Sequence, residues 1–109
     1  MTTVIVEKRN ERIVRVTCDG HTGYGIEGED IVCAALSSVV QTALMGLLRI
    51  ACIAVKYEVD EEEGYLSIEL PEDLTERERD MANIILDTML LGVMDLHEGY
   101  SDFIELEVI

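Results

Sequence analysis

Apolar and polar residues alternate near both ends of the chain. In TVIVEKR, residues 3–9, Val4 and Val6 share one face and Ile5 and Glu7 the other. In RIVRVTCDG, residues 12–20, Val14, Val16 and Cys18 oppose Ile13, Arg15 and Thr17. A period of two is that of a pleated strand with one buried face. The polar connection at Arg9, Asn10 and Glu11 suits an antiparallel hairpin. IAVKYEV and GYLSIEL flank the acidic turn Asp60 to Gly64 and predict a second hairpin, which Pro71 closes. The tail DFIELEVI alternates again, with Ile104, Leu106 and Val108 opposite Glu105 and Glu107.

Between these segments the period changes to that of a helix. The first helix is expected from about Asp30 to Ala51. It is apolar around most of its circumference, which implies burial on more than one side and, in so small a chain, a partner subunit over part of it. Within it, Ile31 to Leu48 carries no charge over 18 residues, the lower end of what spans a bilayer. Ser37, Ser38, Gln41 and Thr42 make a polar stripe, and no aromatic or basic anchors flank the run, so a core or interface helix is the better reading. For the second helix, Thr75 and Glu78 form a capping box. Met81, Ile84, Ile85, Met89, Val93 and Leu96 supply the apolar positions, and Gly99 is the stop. The order β-β-α-β-β-α-β predicts an α+β fold: a mostly antiparallel sheet with two helices packed on one face, in a single domain over 1–109.

Composition narrows the function. An apolar fraction of 49% excludes a disordered chain. With 23 Asp+Glu against 8 Lys+Arg, the net charge of −15 argues against direct nucleic-acid or anionic-membrane binding and favours a basic partner. Three cysteines, an odd number at irregular spacing, follow a start with no cationic and apolar signal segment. A reduced, cytoplasmic compartment is therefore expected.

The chemistry concentrates in GHTGYGIEGEDIVCAALS, residues 20–37. Gly20, Gly23, Gly25 and Gly28 are too many for a strand or helix interior and predict a mobile loop. With a helix start near Asp30, Cys33 falls in the first turn. There unpaired N–H groups and the positive end of the dipole favour a thiolate and offer donors to an oxyanion. His21, at a strand end, is a candidate to support that thiolate and protonate a leaving amine. Asp30 and Ser37, three before and four after Cys33, share its helical face. Asp30 also suits an N-cap, and Ser37 suits a bond to the Cys33 carbonyl. Spacing alone leaves an ordinary buried helical thiol as an open alternative. Cys18 and His21 have a C-x-x-H spacing, but a strand turns them to opposite faces and no second pair completes a zinc site, so no metal is expected. A C-x-x-C redox pair and a phosphate-cradling lysine motif are absent, and no cofactor is implied. Cys18 and Cys52 read as core thiols, and His97 suits the negative end of the second helix.

These residues carry more than their spacing. GH, a glycine-containing loop and DIVCAALS closely resemble the signature of Prp, the ribosomal-processing cysteine protease family. Gly20, His21, Asp30, Cys33 and Ser37 match its pattern, whereas Thr22 stands where the family usually has alanine. The resemblance covers nearly the whole chain. It implies a cysteine endopeptidase that removes a short N-terminal extension from a large-subunit ribosomal protein, cutting after two phenylalanines and before an alanine. It also implies a cytoplasmic homodimer. Cys33 would be the nucleophile and His21 the general base and acid. Asp30 and Ser37 would support the site, and Gly20 would free the backbone to aim His21. Thr22, Gly23, Tyr24, Gly25, Ile26, Glu27, Gly28 and Glu29 would form the lid over the substrate. The alternative is a non-catalytic ribosome-associated binding module of the same fold; loss of Cys33 or His21 would mark it, and both are present.

Overall fold

The structure, a computed structural model, describes residues 1–20 and 27–109, with side chains outside 27–30. The chain runs β1 (Thr2–Arg9), β2 (Arg12–Asp19), α1 (Glu27–Met45), β3 (Lys56–Asp60), β4 (Tyr65–Glu69), α2 (Glu76–Gly99) and β5 (Ile104–Val108). This is the expected order of elements. The strands form one sheet, β3-β4-β2-β1-β5. Its neighbours are antiparallel except β1 and β5, which run parallel, because the chain returns to the sheet edge through α2.

One face of the sheet is dry over β4, β2, β1 and β5, while the edge strand β3 is exposed throughout. Val4, Val6, Val16, Cys18, Leu66, Ile68 and Ile104 join Val32, Leu36 and Val40 of α1 and Ala82, Leu86, Met89 and Val93 of α2 in a single core. The opposite face carries Thr3, Glu7, Arg15, Thr17, Ser67 and Glu105, all at least partly exposed. Alternation therefore sorts the strands as expected, with one correction. Ile13, placed opposite Val16 by strict alternation, is 1% exposed and belongs to the core. Glu7 pairs with Arg15 but Lys8 pairs with Ile13. Val14 is the extra residue of a bulge that resets the period by one, and its carbonyl accepts from the Leu70 N–H instead.

The first helix begins at Glu27 rather than near Asp30. Three expectations change. Glu27, Gly28 and Glu29 are helical and not loop; Asp30 lies inside the helix and not at its N-cap; and Cys33 falls in the second turn. The N–H groups left without an intrahelical partner are those of 27–30, one turn ahead of Cys33. At its other end α1 widens into a π-helical turn, Gly46–Ile50, in which the Ala51 N–H bonds the Gly46 carbonyl at 3.0 Å. Cys52 follows in a left-handed conformation, φ 55°, and is exposed, which corrects its reading as a core thiol.

Ile31–Ile50 is long and apolar enough to cross a membrane by length and composition. Val32, Leu36, Val40, Leu44 and Leu47 are nevertheless buried in the core, which is the place of a core helix. Burial is one-sided within the chain: Ile31, Met45 and Ile50 stay exposed. On α2, Ile84, expected in the core, is 68% exposed, as is Leu91. The capping box forms as expected: Thr75 Oγ1 accepts from the Glu78 N–H at 3.1 Å and Glu78 Oε1 from the Thr75 N–H at 3.0 Å. The backbone bond from Thr75, aided by its side chain, holds the Glu78 carboxyl below its usual pKa.

Burial pushes the Cys18 thiol from 9.0 up to about 12, because the apolar core cannot solvate a thiolate. The native state thus keeps a proton that the unfolded chain releases above pH 9.0, so this contribution to stability is complete below that pH and is lost as pH rises. The melting temperature of the wild type, followed by circular dichroism, is expected to fall more steeply from about pH 9 to 11 than that of Cys18→Ala. Parallel slopes would refute the link.

Candidate active site

Cys33 and Ser37, one turn apart on α1, open onto a cleft of about 270 Å³. The start of β1 at Thr2, the end of β2 at Cys18 and Gly20, and the β3–β4 hairpin close its other sides. Buried Leu36, Val40 and Leu66 give the cleft an apolar floor, Tyr65 stands at one wall, and Asp60 and Glu61 bring carboxylates to its rim. Cys33 is half-buried, and its Sγ lies 3.0 Å from Thr2 Oγ1. Gln41 Nε2 donates to Ser37 Oγ at 2.8 Å, so Cys33, Ser37 and Gln41 present successive polar positions along one side of α1.

Backbone geometry at Gly20 holds these elements together. Its φ of 137° is disfavoured for any side-chain-bearing residue. A Cβ there would collide with the Met1 carbonyl oxygen and sit 2.8 Å from Thr2 Cα. The Gly20 N–H donates to the Gly64 carbonyl at 3.1 Å, tying the end of β2 to the β3–β4 hairpin.

No lysine or arginine lines the cleft among the described residues, whereas a second groove is lined by Arg9, Arg12, Arg15, Lys56 and Arg79 together with Glu7, Glu69, Glu72 and Asp73. Arg9 and Arg12 lie at the opposite ends of β1 and β2 from Thr2 and Asp19.

Of the residues singled out in the sequence, the structure brings Gly20, Cys33 and Ser37 to one cleft. His21 and the lid positions Thr22, Gly23, Tyr24, Gly25 and Ile26 lie outside the described residues, as does the side chain of Asp30. His97 lies in the last turn of α2 and does not line the cleft. Thr2, Gln41 and Tyr65 are additions. Thr2 was within reach of the sequence pattern, since it precedes Val4 and Val6 on the same strand face.

A half-buried thiol at the head of a cleft, on a helix laid across an α+β sheet, invites comparison with known proteins. A ribosomal processing cysteine protease Prp of Bacillus subtilis is 26% identical over 98 residues, 90% of this chain and 88% of that one. The S. aureus ribosomal processing protease Prp in complex with a substrate peptide superposes with a TM-score of 0.87 at 27% identity, each chain covered in full. The S. aureus protease with a covalently linked product peptide superposes at 0.84 and 28%, again over both full chains. Fold, cleft and relatives together define the chain as a cysteine protease. More particularly, residues 1–105 match the family Cysteine protease Prp, to which the chain belongs.

Gly20→Ala is expected to lower peptidase activity by at least about 10-fold and to reduce thermal stability, because both the left-handed φ and the contact with the Met1–Thr2 backbone oppose a methyl group. Wild-type melting and turnover in this variant would show that the approach is relieved at no cost.

Proposed function

We propose that this protease removes the N-terminal extension of a large-subunit ribosomal protein precursor, with Cys33 as nucleophile and His21 as general base and acid. The observation that carries the reading is the Cys33 thiol opening onto an apolar-floored, acid-rimmed cleft in a chain of this family. The Cys33 thiolate attacks the scissile carbonyl carbon and an S–C bond forms. The C–N bond then breaks as His21 gives its proton to the departing amine. His21 next takes a proton from water, whose oxygen attacks the thioester. The S–C bond breaks to restore the thiolate beside protonated His21, and the acid product loses its proton to solvent and leaves as the carboxylate.

The covalently linked product peptide of the S. aureus relative is in keeping with a thioester route. Leu36, Val40, Leu66 and Tyr65 provide apolar surface for the aromatic residues before the cut. Asp60 and Glu61 suit a basic substrate, and the net charge of −15 favours its approach. Ser37 and Asp30 support the site from α1, and the segment from Thr22 to Glu29 covers the bound peptide. Its last three residues belong to the first turn of α1. Three free cysteines accord with a reduced, cytoplasmic setting.

Incubated under reducing conditions with the extended precursor, the wild type is expected to cut after the paired phenylalanines. Cys33→Ala and His21→Ala should each lose at least about 1,000-fold in kcat/KM. An intact precursor sinks the protease–substrate pairing; cutting by Cys33→Ala sinks the nucleophile. A homodimer follows from the same reading, because Ile31, Met45 and Ile50 beside α1 and Ile84, Leu91 and Met94 on α2 leave large apolar side chains in water. Sedimentation equilibrium should return about twice the 12.2 kDa chain mass. Ile84→Glu and Ile31→Glu should shift that value toward the single chain.

A further inference from the structure

We propose that Thr2 is part of the catalytic centre: its hydroxyl donates a hydrogen bond to Cys33 Sγ, aiming the sulfur at the cleft and stabilising it as the thiolate. The proposal rests on Cys33 being the nucleophile. Thr2 is 5% exposed, the sole buried polar or charged side chain among the described residues, and its Oγ1 lies 3.0 Å from the sulfur. A hydroxyl so placed must find a partner or lose its hydration uncompensated.

Two structural features fix where that hydroxyl points. On one side Thr2 pairs with Ile104 of β5 and its N–H donates to the Phe103 carbonyl at 3.0 Å. On the other, Gly20 brings its Cα against the Met1–Thr2 backbone in a space that admits no Cβ. The strand is pinned from both edges, and a β-branched side chain on it has little rotamer freedom.

The direction of the bond follows from the reaction. With Cys33 as a thiol, either atom is able to donate. A thiolate carries no hydrogen, so Thr2 must then be the donor, and a bond to a charged acceptor is the stronger kind. Hydrogen bonding to the charged form favours that form. Among the described residues, the other titratable groups on the cleft walls work against it or are indifferent. Asp60 and Glu61 of the hairpin are like charges, Cys18 of β2 stays neutral through burial, and Tyr65 of β4 lines the wall. The first-turn N–H groups, which the sequence placed beside the sulfur, are a turn away. Among the described residues lining the cleft no cation offsets the carboxylates, so a neutral donor in contact with the sulfur has a specific task.

The test is iodoacetamide alkylation of Cys33 across pH, resolved by mass spectrometry because exposed Cys52 also labels. It is read beside kcat and KM on the precursor peptide. Thr2→Val removes the hydroxyl while keeping shape and β-branching; Thr2→Ala removes it without filling the site, and serves if Thr2→Val melts early. Both are expected to move the alkylation midpoint up by about 1 pH unit, the scale of one hydrogen bond to a charged group. The acid limb of kcat should move with it while KM stays within about twofold. Thr2→Ser returns the hydroxyl and should recover most of the lost rate. An unshifted midpoint in folded Thr2→Val or Thr2→Ala overturns the proposal. A Thr2→Ser shift as large as that of Thr2→Val also overturns it, by assigning the effect to the methyl group. If Cys33→Ala still cuts, the underlying nucleophile reading has failed instead; an inactive Cys33→Ala with an unshifted Thr2→Val isolates the failure to Thr2.

Discussion

The sheet has to bury one face, and among the described residues two helices cover it. That constraint positions the thiol. To shield Val4, Val16, Leu66 and Ile68, α1 must send Val32, Leu36 and Val40 into the core. Cys33 and Ser37, each next to a core position on the helix, then fall at the margin of the buried stripe. At that margin the start of β1, the end of β2 and the second hairpin converge, and the cleft is the space left where α1 cannot follow them. Core packing and site placement are thus one arrangement: what shifts α1 on the sheet also shifts Cys33 against Thr2.

Charge follows the same geometry. The hairpin between β1 and β2 is basic and lies far from the cleft, while the hairpin between β3 and β4 is acidic and lies on it. Antiparallel pairing of β2 with β4 brings Asp19 opposite Tyr65 and leaves Asp60 and Glu61 at the rim. In the proposed function an acidic rim would draw in a basic chain but would disfavour a thiolate nearby. The hydroxyl proposed to donate to the sulfur would offset that repulsion, because it acts at contact range whereas the rim carboxylates act across the cleft.

The order of elements was legible because each strand and helix has one apolar face, and periodicity reports that face directly. The errors are as instructive. Val14 stood in phase with Val16, yet a bulge moved Ile13 into the core, and nothing local to the strand shows which residue will be extra. The glycines point to a helix start near Asp30, whereas the helical backbone begins at Glu27 and takes Gly28 into its first turn. Ile84 groups with the apolar positions of α2 by type, but at about 100° per residue it falls on the opposite side of the helix from buried Ala82, Leu86, Met89 and Val93 and is exposed. Cys52 looked like a core thiol by composition and is exposed because the chain turns left-handed there.

By itself the sequence determined the α+β class, the capped second helix, the acidic character and the placement of a thiol one helical turn before a serine, for these depend on residue type and local period. Its resemblance to a protease family named Cys33 and His21. Only the tertiary structure decided that Thr2, 31 residues away from Cys33, meets its sulfur, that Gly20 must lack a side chain, and that the cleft's carboxylates come from a distant hairpin. Those contacts arise from strand pairing and from helix laid on sheet, whose partners are far apart along the chain and leave no periodic trace in it.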